Sequence, residues 1–267
     1  MSKKYLLFIL FLLLSQLFLV ANISRTDSLL DILSQKQADT SRIKTLLKIV
    51  HAYYKQGDLA QSTKYCKEAI ELSKNQKELF FLASSYYTMG DRICNSNGDF
   101  TSALDYLLKA YQLIEKTNNK KLIYVISNGL GNTYLAKKNL TKALEYYDKA
   151  FVTASELNDK AGINVTLIGK GNIYLKQERY DYALSAFTTA AAGFKSLGQN
   201  DRYIIAYLNI GEVYLAQKDV DKALFHLNKI IKRVEEDDNK YVLANVYLLY
   251  GNTYSENVDL NKALVSY

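Results

Sequence analysis

The residues with the clearest chemical pattern are polar side chains that directly follow a glycine and recur every 40 positions. The glycines are Gly131, Gly171, Gly211 and Gly251. The residues that follow them are Asn132, Asn172, Glu212 and Asn252, with His51 and Asp91 at the matching places upstream. A carboxamide both donates and accepts hydrogen bonds. A row of asparagines therefore suits the backbone of a bound peptide without selecting its side chains.

No pattern in the sequence indicates catalysis or metal binding. The two histidines, His51 and His226, lie far apart, and neither has a second ligand at helical spacing, which argues against a metal site. No combination of serine, histidine and acid has a distinctive local motif. We therefore expect a protein that is not an enzyme and that uses neither a cofactor nor a metal.

The charge of the chain is mildly basic, with a formal net charge of +7 that includes Lys3 and Lys4. Basic and acidic residues are interspersed, as in KALEYYDKA, and this mixture is typical of a solvated helix surface. Nucleic-acid binding would require a clustered basic strip. We therefore expect no nucleic-acid partner.

The spacing of apolar residues predicts that each unit is a pair of helices. Around Gly131, apolar residues recur at helical spacing on both sides of a break at Lys138 and Asn139. The absence of proline permits long helices joined by brief turns. Side chains that can cap a helix precede the second helix of each unit except at Arg179. These capping residues are Asp58, Asp99, Asn139, Asp219 and Asp259.

Small residues at the recurrent positions should let neighbouring helices approach closely. Gly131, Ala143 and Ala150 leave room for adjacent backbones, while Tyr134 and Tyr147 fill the gaps beside them. One helical hairpin cannot bury both of its apolar faces, so successive hairpins must stack. The sequence predicts an all-α fold, a right-handed α-solenoid of antiparallel helix pairs with about five and a half repeats and a concave side lined by first helices.

These residues resemble the tetratricopeptide repeat. The repeat pattern is matched by Leu130, Gly131, Tyr134, Ala143, Tyr147 and Ala150. The chain is similar to the forty-residue variety of this repeat found in kinesin light chains and in bacterial peptide-sensing regulators. The resemblance covers residues 40–267, and the last unit is incomplete. Unit starts are expected near Thr40, Leu79, Lys121, Ala161, Asp201 and Tyr241.

The resemblance also implies a binding site. In tetratricopeptide domains the residue after the glycine faces the concave groove, and asparagine there binds the backbone of an extended peptide. The alternative is that asparagine is a common polar residue at this position and faces water. The predicted site residues are Asn128, Asn132, Asn172, Lys176, Asn209, Glu212, Asn245 and Asn252.

The N-terminal segment has the layout of a secretory signal peptide. Lys3 and Lys4 precede an apolar run from Tyr5 to Val20, and cleavage is expected after Ala21. An uncleaved membrane anchor is the alternative. Residues 22–39 are expected to form a short helix that covers the first hairpin. We expect an exported protein in the periplasm or cell envelope of a bacterium.

The sixth unit ends inside a helix at Tyr267. A terminal repeat needs a polar outer face. We therefore expect that the natural chain continues, or that this face is covered by a partner or by a second copy in a self-association. A membrane contact would come from an uncleaved N-terminal segment or from a missing C-terminal region.

Together these features predict a non-catalytic scaffold or adaptor that binds a protein or peptide in its concave groove. The start of the chain also resembles bacterial envelope regulators in which a repeat array precedes a signalling domain. The alternative function is therefore the sensor region of a longer signal-transduction protein, of the histidine kinase or transcriptional regulator type.

Overall fold

The computed structural model describes residues 26–35, 38–75, 79–96, 98–236 and 240–256. All regular secondary structure within these ranges is helical, so the all-α prediction is confirmed. The predicted signal peptide and Asp259 lie outside the described residues.

The described helices follow the predicted two-helix period. A short helix, α1, spans residues 26–34. The first helices of the units begin at, or one residue before, the starts expected from the sequence. The longer helices are α2 (Asp39–Lys55), α3 (Leu59–Asn75), α4 (Leu79–Ser96), α5 (Phe100–Ile114), α6 (Lys120–Ala136), α7 (Leu140–Glu156), α8 (Lys160–Lys176), α9 (Tyr180–Ser196), α10 (Asn200–Ala216), α11 (Val220–Glu236) and α12 (Lys240–Glu256).

The chain divides between Leu122 and Ile123 into two compact units. In the first unit, α2 packs on α3, α3 on α4, and α4 on α5. In the second unit, contacts run from α7 to α8 and onward through each successive helix to α12. Packing between helices that are neighbours in sequence is the signature of a repeat array. The fold is the predicted α-solenoid of antiparallel helix pairs.

Helix α1 packs against the first helix pair. Leu33 is buried in a cluster with Leu46 and Ile49, and Leu29 is partly buried against the same cluster. Ile32, in contrast, is 43% exposed. The four apolar residues at positions 29, 30, 32 and 33 cannot all point toward one face of the helix, because successive residues are rotated by about 100°.

The helix caps predicted from the sequence are confirmed wherever the structure describes them. In four second helices, the side chain before the helix accepts a hydrogen bond from the backbone N–H three positions later, at 3.0–3.1 Å. Arg179 makes no side-chain cap bond. The capping residues are Asp58, Asp99, Asn139 and Asp219.

Two of the recurrent glycines, Gly131 and Gly171, lie against aromatic rings of the second helices. A Cβ atom on Gly131 would lie 2.7 Å from Tyr147 Cδ1, and one on Gly171 would lie 2.5 Å from Phe187 Cε1. Tyr147 also reaches the next first helix, where a Cβ on Gly169 would lie 2.5 Å from its Cε1 atom. Tyr147 and Phe187 are 1% and 0% exposed. These glycines are therefore required by close packing between helices.

The turn inside each of the first five hairpins places one residue in the left-handed conformation. Gly57 and Gly98 occupy this position in the first two units, with φ of 78° and 67°. In the next three units the same position is held by Lys138, Glu178 and Lys218, with φ between 58° and 61°. A side chain with a Cβ is disfavoured there.

Lys138→Gly is expected to raise the free energy of unfolding by about 0.5–1 kcal/mol, because glycine adopts φ of 59° without steric cost. Urea denaturation followed by circular dichroism measures the change. Lys137→Gly is the control, since its backbone is not left-handed and glycine can only add flexibility there. Equal effects of the two substitutions would contradict this account.

Candidate functional site

Three adjoining cavities lie along the first helices of the second unit, on α6, α8, α10 and α12. We call them the Asn128 cavity, the Lys176 cavity and the Asn252 cavity, with volumes of about 190, 570 and 230 Å³. Asn172 lines the first two, and Asn209 and Glu212 line the last two. The cavities therefore form one continuous surface, which we call the asparagine groove.

Seven of the eight site residues predicted from the sequence lie on this groove. Asn245 lies on α12, but its side chain is outside the described residues. The residues that the structure brings together are Asn128, Asn132, Asn172, Lys176, Asn209, Glu212 and Asn252. They come from four helices because the position after each recurrent glycine, and those one turn away, repeat on the same helix face.

The side chain of Asn128 carries an unpaired acceptor in the described part of the chain. Its Oδ1 atom is buried and has no hydrogen-bond partner among the described residues. A buried carbonyl without a donor is unfavourable by about 1–3 kcal/mol. An N–H group brought by a ligand would remove that penalty.

The side-chain oxygen of Asn132 already accepts a hydrogen bond within the protein. The Tyr147 hydroxyl donates a hydrogen bond of 2.6 Å to Asn132 Oδ1. Burial of the phenol raises the pKa of Tyr147, so this group remains a donor. The carboxamide NH₂ of Asn132 is then the part that can serve a ligand, and it can only donate. Asn132 is thus suited to a carbonyl oxygen, whereas Asn128 is suited to an N–H group.

Glu212 and Glu178 are the acidic residues that line the Lys176 cavity. Protein atoms around the Glu212 carboxylate remove part of its hydration, which raises the pKa of Glu212, while the positive charge of Lys176 opposes that rise. Both residues line the Lys176 cavity. This part of the groove is polar and carries charges of both signs.

Sequence reasoning missed the apolar part of the Asn128 cavity and the arginine at its edge. The cavity is also lined by Val165, Ile168, Phe194, Arg202 and Ile205. A signal for two of them was present, because Arg202 and Ile205 precede Asn209 by seven and four positions, which is the spacing of one helix face.

The matching positions of the first unit carry different chemistry. Arg92 Nη2 lies 3.1 Å from His51 Nδ1, and the guanidinium lies 4.1 Å from the ring centre of Tyr54. Arginine can only donate, so His51 Nδ1 accepts this bond. Desolvation raises the pKa of Asp91, against the opposing charge of Arg92. His51 and Asp91 therefore belong to a charged cluster and do not extend the row of amides.

Within the described ranges, no three histidine, cysteine, aspartate or glutamate side chains lie close enough together to hold a metal ion. No helix in the same ranges has both the length and the apolar character needed to cross a membrane.

One known protein family matches most of the chain. Residues 42–249 match the MalT-like TPR region. The chain belongs to this family. The match extends over parts of both compact units and includes the residues of the asparagine groove named above, except Asn252. No curated protein matches the chain significantly.

Solved structures resemble this MalT-like TPR chain at low sequence identity. A STAND signal-transduction ATPase with a tetratricopeptide repeat sensor, from Pyrococcus horikoshii, is 19% identical with a TM-score of 0.69, and the match covers 86% of this chain and 36% of that protein. A Rap protein complexed with Competence and Sporulation Factor is 14% identical with a TM-score of 0.72, covering 88% of this chain and 66% of that one. Aspartyl phosphate phosphatase F from Bacillus subtilis is 15% identical with a TM-score of 0.67, covering 85% and 71%.

These likenesses show the fold. The chain spans only about a third of the length of the Pyrococcus protein and about two thirds of the Rap protein.

Proposed function

We propose that this MalT-like TPR chain is a non-catalytic binding module that holds an extended peptide segment in the asparagine groove. The observation that carries the proposal is the arrangement of carboxamides on four successive first helices around one continuous groove. Two of them offer complementary chemistry, since Asn128 presents an unpartnered acceptor and Asn132 retains its donors. A peptide backbone supplies both N–H and carbonyl groups.

The likeness to the Rap protein supports a peptide or protein ligand, because that structure contains Competence and Sporulation Factor. The groove chemistry supports a ligand held mainly through its backbone, since carboxamides bind peptide groups without regard to side-chain identity.

A random octapeptide display library tests this proposal. The complete chain is expected to retain a set of peptides, and Asn172→Ala with Asn209→Ala is expected to weaken their binding by about 5- to 100-fold through the loss of two hydrogen bonds. These two residues are chosen in preference to Asn132, whose removal would also strand the buried Tyr147 hydroxyl.

The matched control replaces two exposed asparagines outside the groove, Asn75 and Asn118, with alanine. The control should bind as the unaltered chain does, and all three proteins should show the same helical circular dichroism. Failure of the unaltered chain to retain any peptide, or equal binding by the groove variant, would contradict the proposal.

The second candidate function is that of a sensor region within a longer signalling protein. It is favoured by the match to a STAND protein whose tetratricopeptide repeat is a sensor and of which this chain covers 36%. In that arrangement, peptide binding to the groove would regulate an output domain elsewhere in the protein. The intact mass of the native protein, measured with an antibody against the repeats, distinguishes the sensor from a free-standing adaptor.

We propose that this module lies in the bacterial envelope, because Lys3 and Lys4 precede an apolar run within the first 21 residues. The antibody used for the mass measurement also tests this proposal, through the distribution of the protein between periplasmic, membrane and cytoplasmic fractions. Recovery in the cytoplasmic fraction would overturn it.

A further inference from the structure

The Asn128 cavity differs in character from the rest of the groove. Four apolar side chains, Val165, Ile168, Phe194 and Ile205, contribute to its walls. Its volume is about 190 Å³. An apolar protein cavity of about 150 Å³ is large enough to hold benzene. The Asn128 cavity can therefore receive one leucine-sized or phenylalanine-sized side chain.

Arg202 is the charged residue of this cavity. Its guanidinium lies 5.9 Å from the ring centre of Phe194, and its Nη1 donates a 3.2 Å hydrogen bond to Gln199 Oε1. Gln199 is neutral, and the structure gives Arg202 no ion pair with a carboxylate in the part of the chain that it describes. No acidic side chain is among the residues that line the cavity. The lining of the cavity therefore carries one positive charge and no negative charge.

The lining of the cavity adds a hydrogen-bonding requirement. Asn128 Oδ1 is buried there without a partner among the described residues. Neither Arg202 nor an apolar wall residue supplies its missing donor. A peptide that binds here can supply this donor through a backbone N–H group.

We propose that the Asn128 cavity is the specificity subsite of the groove and selects a peptide in which an aliphatic or aromatic residue stands next to an acidic residue. The apolar side chain fills the cavity, its backbone N–H donates to Asn128 Oδ1, and the neighbouring carboxylate pairs with Arg202. This inference rests on the proposed peptide-binding function and adds the identity of the side chains that the amides alone do not select.

Charge reversal at Arg202 tests the inference. Peptides retained from the random octapeptide library by the unaltered chain should be enriched in aspartate or glutamate within two positions of leucine, isoleucine, valine or phenylalanine. With Arg202→Glu, the acidic preference should change to lysine or arginine. Peptides selected by the unaltered chain should bind the variant at least about tenfold more weakly, because a charged hydrogen bond is replaced by repulsion.

Two further variants make the test specific. Ile205→Ser, at a residue that is 36% exposed, should remove the apolar preference while leaving the acidic one. Lys116→Glu is the charge-matched control, since Lys116 is exposed in the turn after α5, in the other unit, and should leave the selected sequences unchanged.

The outcomes separate this inference from the proposed function. Identical peptide sets from the unaltered chain and from Arg202→Glu, with binding still lost when Asn172 and Asn209 are replaced, would overturn the inference and leave the peptide groove intact. Selection of basic peptides by the unaltered chain would also overturn it. Retention of no peptide at all would overturn both.

Discussion

Replacing Phe187 with alanine is expected to lower the free energy of unfolding by about 3–5 kcal/mol. The ring is 0% exposed and packs in a cluster with Ala183, Ile210 and Val213. It also lies directly against Gly171, so its loss would leave a cavity between α8 and α9 that neither helix backbone can fill. Urea denaturation followed by far-UV circular dichroism measures the change.

The control for this prediction is the same substitution at an exposed site. Phe225 is 56% exposed, and Phe225→Ala should change the free energy of unfolding by about 0.5 kcal/mol or less. A loss at Phe187 as small as the one expected at Phe225 would show that the contact between α8 and α9 is not a major source of stability.

Gly169→Ala is expected to lower the free energy of unfolding by about 1–3 kcal/mol, although alanine is the better helix former. The added Cβ would lie 2.5 Å from Tyr147 Cε1. The Tyr147 ring is 1% exposed and already lies against Gly131, so it has no space into which it can withdraw. Thermal and urea denaturation of the purified variant measure the loss.

Gly211→Ala provides the matched comparison, because Gly211 is also a buried glycine in a first helix. There the new Cβ would lie 3.3 Å from Leu249 Cδ2 and 3.5 Å from Leu227 Cδ2, which are ends of flexible side chains. The helix propensity of alanine should prevail, giving no loss or a gain of up to about 1 kcal/mol. Opposite signs at Gly169 and Gly211 are the expected result, and a similar loss at both would refute the packing explanation.

Much of the fold follows from local features of the sequence. The cap residues Asp58, Asp99, Asn139 and Asp219 define helix starts because each needs only the backbone N–H three positions later. The positions of the groove amides follow from the same period, since a residue next to a recurrent glycine must reach the same face in every repeat.

The chemistry of the groove was less predictable because it depends on contacts between helices. The bond from Tyr147 to Asn132 joins residues 15 positions apart on two helices and changes which half of the carboxamide a ligand can use. The apolar cavity beside Asn128 combines α6, α8, α9 and α10, and its walls resemble ordinary core positions in the sequence. Periodicity identifies helix faces, but it does not show which apolar residues remain open to a ligand.

The contact between Gly131 and Tyr147 also limits where the repeats can vary in length during evolution. An extra residue inserted within α7 before Tyr147 would rotate the ring by about 100° away from the glycine. The one length change among the early repeats fits this restriction, because 13 positions separate Gly90 from Ala103 where 12 separate Gly131 from Ala143.

The extra residue lies near the C-terminal end of α4, which has 18 residues, and Gly90 still packs against Leu107. An extra residue near a turn therefore preserves the contact between the two helices, and the forty-residue period elsewhere in the chain keeps the equivalent contacts in register.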